Sequence, residues 1–442
     1  MNIHILGICG TLMSGIAILA KQLGHTVSGS DANIYPPIST QLTEQNIQLC
    51  EGYSPEHLKP TPDLIIVGNT MPRGNSVIEY ILNNNLPYIS GAEWLREYVL
   101  KNRWVLGIAG THGKTTTSGM LTWILHAANL NPGFLIGGIP LNFGISARLT
   151  DSQFFIIEAD EYDTAFFDKR SKFLHYHPKT LILNNIEFDH GDIFADLNAI
   201  KRQFAHLLRV VPQNGLIIHP QNDSDIQDVL QQGCWTPTET FGDNAIWEIK
   251  NFDHTSFDVY HSRQKVGTVK WQLLGIHNAH NALAAIAAAN HVGIKPNLSI
   301  EALNTFQGTK HRLEKIATIN GKEIYDDFAH HPTAIAATIS ALRGKIGKQK
   351  LIVALELASN SMRTGIHRHN LMSSLSGADQ VLILRPNATW NIDELLQQTP
   401  VNAVIYANIE EIVTQLKNAP SHTCILIMSN KNFGDLRRRL ME

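Results

Sequence analysis

The chain has 442 residues, 43% hydrophobic, 17% charged and 7% aromatic, the composition of an ordinary folded protein with material for several cores. Its 36 Lys+Arg against 39 Asp+Glu give a formal net charge of -3, which excludes a general basic field for holding nucleic acid or an anionic membrane. Any phosphate binding must therefore be local.

The opening run Met1-Asn2-Ile3-His4-Ile5-Leu6-Gly7 lacks a basic segment and a long apolar stretch, so it reads as a buried first strand. Ile3–Leu6, Thr26–Ser28 and Leu64–Val67 are the expected strands of a first α/β unit, closed by a helix carrying Trp94, Leu95, Tyr98 and Val99. This sets a first domain at 1–99. A second, 100–307, opens with a strand at Trp104–Ala109, continues through Phe154–Ile157 and Thr180–Leu183, and ends near an Ala-rich helix at Asn278–Ala289. Within it Leu216–His219, Phe257–Tyr260 and Val266–Trp271 alternate like exposed antiparallel strands. The third domain, 308–442, has expected strands at Glu323–Tyr325, Leu351–Leu355, Val381–Leu384, Val404–Tyr406 and Cys424–Met428. Strand and helix alternate throughout, which predicts an α/β protein of three domains with mainly parallel sheets and ligand sites at strand C-terminal ends.

Cys9, Cys50, Cys234 and Cys424 show no C-x-x-C spacing, so neither a zinc site nor a disulfide framework is expected. With no export signal or spanning segment in view, a reducing cytoplasm is the expected location.

The most informative segment is Trp104-Val105-Leu106-Gly107-Ile108-Ala109 followed by Gly110-Thr111-His112-Gly113-Lys114-Thr115-Thr116 and then Met120, Leu121, Ile124 and Leu125 at helical spacing. Strand, glycine turn and helix make a phosphate cradle, because the first N–H groups of the helix have no carbonyl partner and face the anion. Lys114 is placed to neutralise β and γ phosphates, and the Thr115 hydroxyl to meet Mg²⁺. The long form of the motif fails at Ile108, leaving the shorter G-T-x-G-K-T pattern from Gly110 to Thr115. Metal-holding carboxylates belong at neighbouring strand ends. The run Phe154-Phe155-Ile156-Ile157-Glu158-Ala159-Asp160-Glu161 delivers Glu158 there, and Thr180–Leu183 leads to Asn185-Ile186-Glu187-Phe188-Asp189-His190. Neutral His190 is a candidate metal or substrate ligand, although surrounding carboxylates raise its pKa and favour the charged form.

Taken in order, Gly110–Thr116, Glu158–Glu161, Asn185–His190, His277-Asn278-Ala279-His280-Asn281 and Asp326-Asp327-Phe328-Ala329-His330-His331-Pro332 resemble the Mur ligases, the ATP-dependent amide-forming enzymes of peptidoglycan synthesis. Gly7-Ile8-Cys9-Gly10-Thr11, Ser30-Asp31-Ala32-Asn33-Ile34-Tyr35-Pro36-Pro37, Asp168-Lys169-Arg170-Ser171-Lys172-Phe173 and Ser359-Asn360-Ser361-Met362 resemble the branch of that family that joins UDP-N-acetylmuramate to L-alanyl-γ-D-glutamyl-meso-diaminopimelate in peptidoglycan recycling. The nearest sibling branch adds L-alanine alone. A nucleotide-gated switch without ligase activity is a more distant reading, and Phe433 stands where a guanine-reading Asn-Lys-x-Asp motif needs Asp.

The resemblance implies a Rossmann-like UDP-binding domain, a central P-loop ATPase domain and a C-terminal Rossmann-like domain that receives the peptide. It implies ATP and Mg²⁺ as cofactors, with Gly110, Thr111, His112, Gly113, Lys114, Thr115 and Thr116 around the phosphates. Thr115, Glu158 and His190 become metal contacts, and Asn278 and Asn281 meet the adenine. Arg312 reaches across to the phosphates, and Asp327 holds the ribose. Lys114, Glu158, His190, Arg312 and His330 form the catalytic set, with His330 or a phosphate oxygen accepting the amine proton. Gly7, Gly10, Ser30, Asp31, Asn69 and Thr70 are expected around UDP-N-acetylmuramate. Asn360 and Arg363 are expected around the murein tripeptide, Arg363 standing in for an arginine that Leu357-Ala358 lacks. Cys9 and Leu12 replace glycines usual in the L-alanine-adding branch, and Ser429-Asn430-Lys431-Asn432-Phe433 replaces a glycine-richer turn. No nucleic-acid or membrane partner is expected, and the chain is expected to be a monomer or weak homodimer.

Overall fold

The computed structural model describes residues 1–35, 38–396 and 401–442; Pro36 and Pro37, from the Ser30–Pro37 stretch, lie outside them. Three sheets follow one another along the described chain. The first has five strands in the spatial order Gln48–Glu51, Thr26–Asp31, Asn2–Leu6, Leu64–Val67 and Tyr88–Ser90, all parallel. Leu6 lies opposite both Ser30 and Val67, so three strand ends open at one edge. The sequence reading did not pick out Gln48–Glu51 and Tyr88–Ser90, which are short and lie at the sheet's borders. The helix expected at Trp94–Val99 forms as Gly91–Leu95 and runs on into a π-helical turn at Arg96–Leu100.

Ten strands make the second sheet, with Trp104–Ala109 near its middle between Thr180–Leu183 and Phe154–Glu158, parallel to both. These strands are near-continuous apolar runs because helices cover both faces. Leu216–Pro220 corrects one expectation. It pairs in parallel with Thr180–Leu183 and Thr238–Phe241, and Ile217 and Ile218 are buried, so Leu216–His219 is a core strand and not an exposed antiparallel one. Phe257–Tyr260 and Val266–Lys270 do pair antiparallel, within the strands Ser256–His261 and Gln264–Lys270 at the sheet's far border. The Ala-rich helix spans Ile276–His291, and its small residues let it pack closely against the helix Lys114–Ala127 that follows the phosphate loop.

The third sheet is ordered Glu314–Ile319, Lys322–Asp327, Cys424–Met428, Leu351–Glu356, Gln380–Leu384 and Ala403–Tyr406, parallel except for the first pair. The added antiparallel strand Glu314–Ile319 carries more polar residues, which hides it from a search for apolar runs.

The sheets share cores at their borders. Helix Thr11–Gln22 rests on the central sheet, where a Cβ on Gly15 would come within 2.1 Å of Leu135 Cδ1. One apolar cluster accordingly runs from Ile3, Ile5 and Trp94 through Val105 and Phe155 to Leu181. That continuity holds the N-terminal strand ends beside the phosphate loop.

Candidate active site

The loop after Trp104–Ala109 turns through Gly110, at φ 129°, and Gly113, at φ 81°. Both positions lie where side chains are disfavoured, and a Cβ on Gly113 would stand 2.6 Å from Asn281 Oδ1 and 2.8 Å from Asn184 Nδ2. Asn185 fastens the loop from the neighbouring strand end: its carbonyl accepts the Thr111 N–H at 3.2 Å and its Oδ1 the His112 N–H at 2.8 Å. Helix Lys114–Ala127 starts immediately afterwards, so the N–H groups of its first turn point out of the helix with no carbonyl of their own.

Around this loop lies a cavity of about 550 Å³, within the range of small-molecule sites. Residues 111–116, Glu158, His190, Asn278, Asn281, Arg312, Asp327 and His330 line it, so the structure brings these expected nucleotide and catalytic residues together from the central and C-terminal sheets. Thr115 Oγ1 donates to Glu158 Oε1 at 2.9 Å, and Arg312 Nη2 donates to Thr115 Oγ1 at 3.0 Å. Gly137 N–H donates to the other Glu158 oxygen at 2.7 Å. Burial raises the Glu158 pKa, against the pull of Lys114 and Arg312. Arg312 also lies over the Phe328 ring.

The Lys114 ammonium donates to the Gly110 carbonyl at 2.7 Å and to Glu161 Oε2 at 2.8 Å, with Asp160 at 3.5 Å. Burial opposes its charge, but Glu161, Asp160 and Glu158 outweigh it and push its pKa up. Glu161 lies in the Glu158–Glu161 run, to which the resemblance gives a role only at Glu158. Its side chain is only 2% exposed and joins Lys114 to His190, whose Nε2 is 3.0 Å from Oε1. Burial works against the Glu161 charge, and Lys114 and His190 overcome it to hold the carboxyl below its ordinary range. For His190 burial disfavours the proton, yet Glu161, Asp189 and Asp160 raise the pKa, the direction expected from the sequence.

Thr115, Glu158 and His190 thus offer a hydroxyl, a carboxylate and an imidazole, a donor set that fits a divalent cation beside bound phosphates. A cation would take the place of the proton that His190 otherwise shares with Glu161. The first-turn N–H groups, the Lys114 ammonium and the Arg312 guanidinium fit a triphosphate.

Two residues are positioned differently from their simplest reading. Asp327 lines the cavity, but its carboxylate already accepts the N–H groups of Leu313 and Ala329, both at 2.7 Å, and the Thr338 hydroxyl at 3.3 Å, so it braces the junction with the C-terminal sheet. Burial raises its pKa in spite of Arg312. His330 Nδ1 donates to the Phe328 carbonyl at 3.0 Å, and burial lowers its pKa to about 4, leaving a neutral imidazole. Asn278 Nδ2 donates to the Leu274 carbonyl at 2.8 Å, and Asn281 Nδ2 to Asn278 Oδ1 at 3.3 Å.

The residues expected around UDP form a separate group. Gly7 N–H donates to the Ser30 carbonyl at 2.8 Å, and Asp31 accepts the N–H groups of Cys9 at 2.9 Å and Asn33 at 3.1 Å. Gly10 caps helix Thr11–Gln22, Asn69 is half-buried and Thr70 exposed just past Leu64–Val67. Ser30 is fully buried, with its hydroxyl 2.9 Å from His4 Nε2 and 3.0 Å from His57 Nδ1, so its side chain is held between two histidines of the protein. Thr11 and Leu12 connect this group to the cavity wall. Asn360 donates to Asp192 at 3.0 Å and Arg363 to the Asn387 carbonyl at 3.0 Å; neither lines the cavity. Asn430 does line it, and its Oδ1 is buried without a partner.

The C-terminal sheet closes on the central one through pairs that the sequence reading missed. Ser361 Oγ donates to Asp189 at 2.6 Å, and Thr333 Oγ1 donates to Glu187 at 2.6 Å. Glu187 and His331 lie within the Asn185–His190 and Asp326–Pro332 motifs, but Thr333 stands 146 positions from Glu187, beyond the reach of any local pattern.

Comparison with known proteins agrees with this arrangement. Three family models match in order: "Mur ligase family, catalytic domain" over residues 2–103, "Mur ligase middle domain" over 108–289 and "Mur ligase, glutamate ligase domain" over 311–431. The chain is 51% identical over 447 residues to the UDP-N-acetylmuramate–L-alanyl-γ-D-glutamyl-meso-2,6-diaminoheptanedioate ligase of Escherichia coli K12, covering 100% of this chain and 98% of the relative. It is 33% identical over 386 residues to the UDP-N-acetylmuramate–L-alanine ligase of Caldicellulosiruptor saccharolyticus, covering 86% and 82%. The crystal structure of a murein peptide ligase from Psychrobacter arcticus superposes with a TM-score of 0.80 at 43% identity, over 100% of this chain and 98% of that one. With its phosphate loop, strand-end carboxylates and closing third sheet all matched in order by these models, the chain belongs to the Mur ligase family.

Proposed function

We propose that this chain uses ATP to join the carboxylate of UDP-N-acetylmuramate to the amine of L-alanyl-γ-D-glutamyl-meso-diaminopimelate. The observation that carries the chemistry is the meeting of Lys114, Thr115, Glu158 and Arg312, drawn from two sheets, on one cavity wall. Full-length likeness to the Escherichia coli ligase supports the substrate pair.

A carboxylate and a triphosphate repel, and an amide cannot form until the carboxylate oxygen has become part of a better leaving group. Transfer of the γ-phosphoryl group to the muramoyl carboxylate provides an acyl phosphate, which the amine attacks with loss of phosphate. Lys114 and Arg312 offset the meeting of anions, and the loop N–H groups hold the phosphates in line. Mg²⁺, held by Thr115, Glu158 and His190, would supply further neutralisation of phosphate charge. Ser361 and Thr333 bring the C-terminal domain onto Asp189 and Glu187, shielding the acyl phosphate from water. His330 is neutral and able to accept the amine proton at its Nε2.

We take 1–99 as the UDP-sugar domain with Gly7, Gly10, Asp31, Asn69 and Thr70 at its open edge. Residues 100–307 form the ATP domain, and 308–442 the peptide domain, reached through Asn360 and Arg363. Among the described residues no helix is long and apolar enough to cross a membrane, and a cytoplasmic monomer or weak homodimer fits the substrates. The 33% likeness to an L-alanine ligase supports the second reading, addition of L-alanine alone. Incubation with ATP, Mg²⁺, UDP-N-acetylmuramate and either amine, with mass analysis of the product, tests the choice. The tripeptide product is expected, and better use of L-alanine would reject it.

A further inference from the structure

Where the central and C-terminal domains touch, His112 of the phosphate loop, Glu187 and His331 bring one ligand atom each to within 4.8 Å of the others. His112 Nε2 and His331 Nδ1 both lie 3.6 Å from Glu187 Oε2. Tetrahedral donors around zinc at its usual bond lengths stand about 3.3 Å apart, so a few tenths of an ångström of side-chain motion would complete the geometry.

The proton pattern points the same way. His331 Nδ1 accepts the Thr333 N–H at 3.3 Å, and His331 Nε2 is 3.4 Å from the Phe188 carbonyl, which needs a donor. That bonding places the proton on Nε2 and leaves Nδ1, 3.6 Å from the Glu187 carboxylate, as the acceptor atom of the ring, engaged only by the long Thr333 N–H contact. A cation at Nδ1 would take the place of that Thr333 N–H contact, while the Thr333 hydroxyl stays on the carboxylate. Burial, with His112 and His367 nearby, keeps the His331 pKa low and the ring neutral, the state a metal needs. His112 Nε2 is a second, separate sign, being shielded from solvent with no hydrogen-bond partner. The Thr333 hydroxyl on Glu187 and the Phe188 carbonyl on His331 are the outer contacts that orient metal ligands.

We propose that His112, Glu187 and His331 form a site for a divalent transition-metal cation of the zinc class, apart from the Thr115, Glu158 and His190 set. Two imidazoles and one carboxylate favour zinc over magnesium, which prefers oxygen. Because two ligands belong to the central domain and one caps helix Pro332–Ile346 of the C-terminal domain, the bound ion ties the cavity's two walls together. It stabilises the closed arrangement and restrains the opening that product release needs. The other convergence, His311, Glu314 and Asp326, already holds Arg437 at 2.6 Å from Asp326 and has its charge balanced without an ion.

The test uses the full chain stripped with a chelator, without nucleotide or Mg²⁺, titrated with Co²⁺ as a visible stand-in for zinc. One equivalent is expected to produce the strong visible absorption of four-coordinate cobalt, which Zn²⁺ then abolishes. His331→Ala and Glu187→Gln should each weaken the signal at least about tenfold, whereas His190→Ala should keep it. The Glu187→Gln variant, which preserves side-chain shape, guards against misfolding in the alanine variant, and melting of the stripped proteins checks both. Absence of the signal, its survival in both ligand variants, or its loss in His190→Ala or His311→Ala would each overturn the proposal.

Discussion

Replacing Lys114 with Met removes an ammonium that lies 2.8 Å from Glu161 and 3.5 Å from Asp160. At an effective dielectric near 20 those gross attractions are about 6 and 5 kcal/mol. Desolvation of the buried lysine offsets much of this, and breaking such a pair from one side typically leaves a net loss of roughly 3–5 kcal/mol. Glu161, 2% exposed, is then left with His190 as its remaining charged partner, and burial drives its pKa up. The sign follows. In the parent the depressed Glu161 pKa contributes stability above its ordinary value near 4.5 that is lost as pH falls. In Lys114→Met the raised pKa makes the buried carboxylate destabilising at neutral pH and tolerated once protonated. The stability gap between parent and variant should therefore be largest near neutrality and shrink toward pH 4–5, an expectation set by the carboxyl's ordinary range. Urea unfolding at several pH values measures the gap, and phosphate release with all three substrates measures turnover. Turnover should fall about 100- to 1000-fold, the usual effect of removing a group aimed at developing charge. A gap under about 1 kcal/mol, the worth of an exposed pair, or one that widens in acid, would refute the buried-cradle reasoning.

Gly113→Ala combines a φ of 81° with a Cβ 2.6 Å from Asn281 Oδ1, so calorimetry should show nucleotide binding lost, with melting lowered by roughly 1–3 kcal/mol of strain. Arg312→Ala unties Thr115 from the C-terminal domain, and kcat should drop about 100-fold with the fold intact by circular dichroism. His4 is buried, its pKa lowered from 6.5 to about 4 by burial and by His57, so the unfolded chain binds the extra proton across that interval. Stability from this group is complete above pH 6.5 and lost as pH falls toward 4, and His4→Gln should flatten that part of the acid unfolding curve.

Much of the fold was legible because parallel strands buried on both faces are written as local apolar runs. Trp104–Ala109, Thr180–Leu183 and Cys424–Met428 sit where those runs stand. The half-exposed strand Glu314–Ile319 escaped for the opposite reason, and Leu216–Pro220 was misjudged because a short run does not reveal which neighbours cover it. The loop from Gly110 to Thr116 was equally plain, since a phosphate cradle needs glycine, lysine and threonine at fixed offsets along a single turn.

The sequence by itself determined which residues are chemically equipped: the loop, the strand-end carboxylates and the histidines of Asp326–Pro332. Only the tertiary structure decided which of them meet. Lys114 finds Glu161 across 47 positions, and Arg312 finds Thr115 across 197. It also set the Ser30 hydroxyl between His4 and His57 and brought Glu187 to His331. Periodicity and spacing report on groups a few residues apart, whereas the state of a buried charge is set by what the rest of the chain carries to it, and that depends on how whole sheets stack.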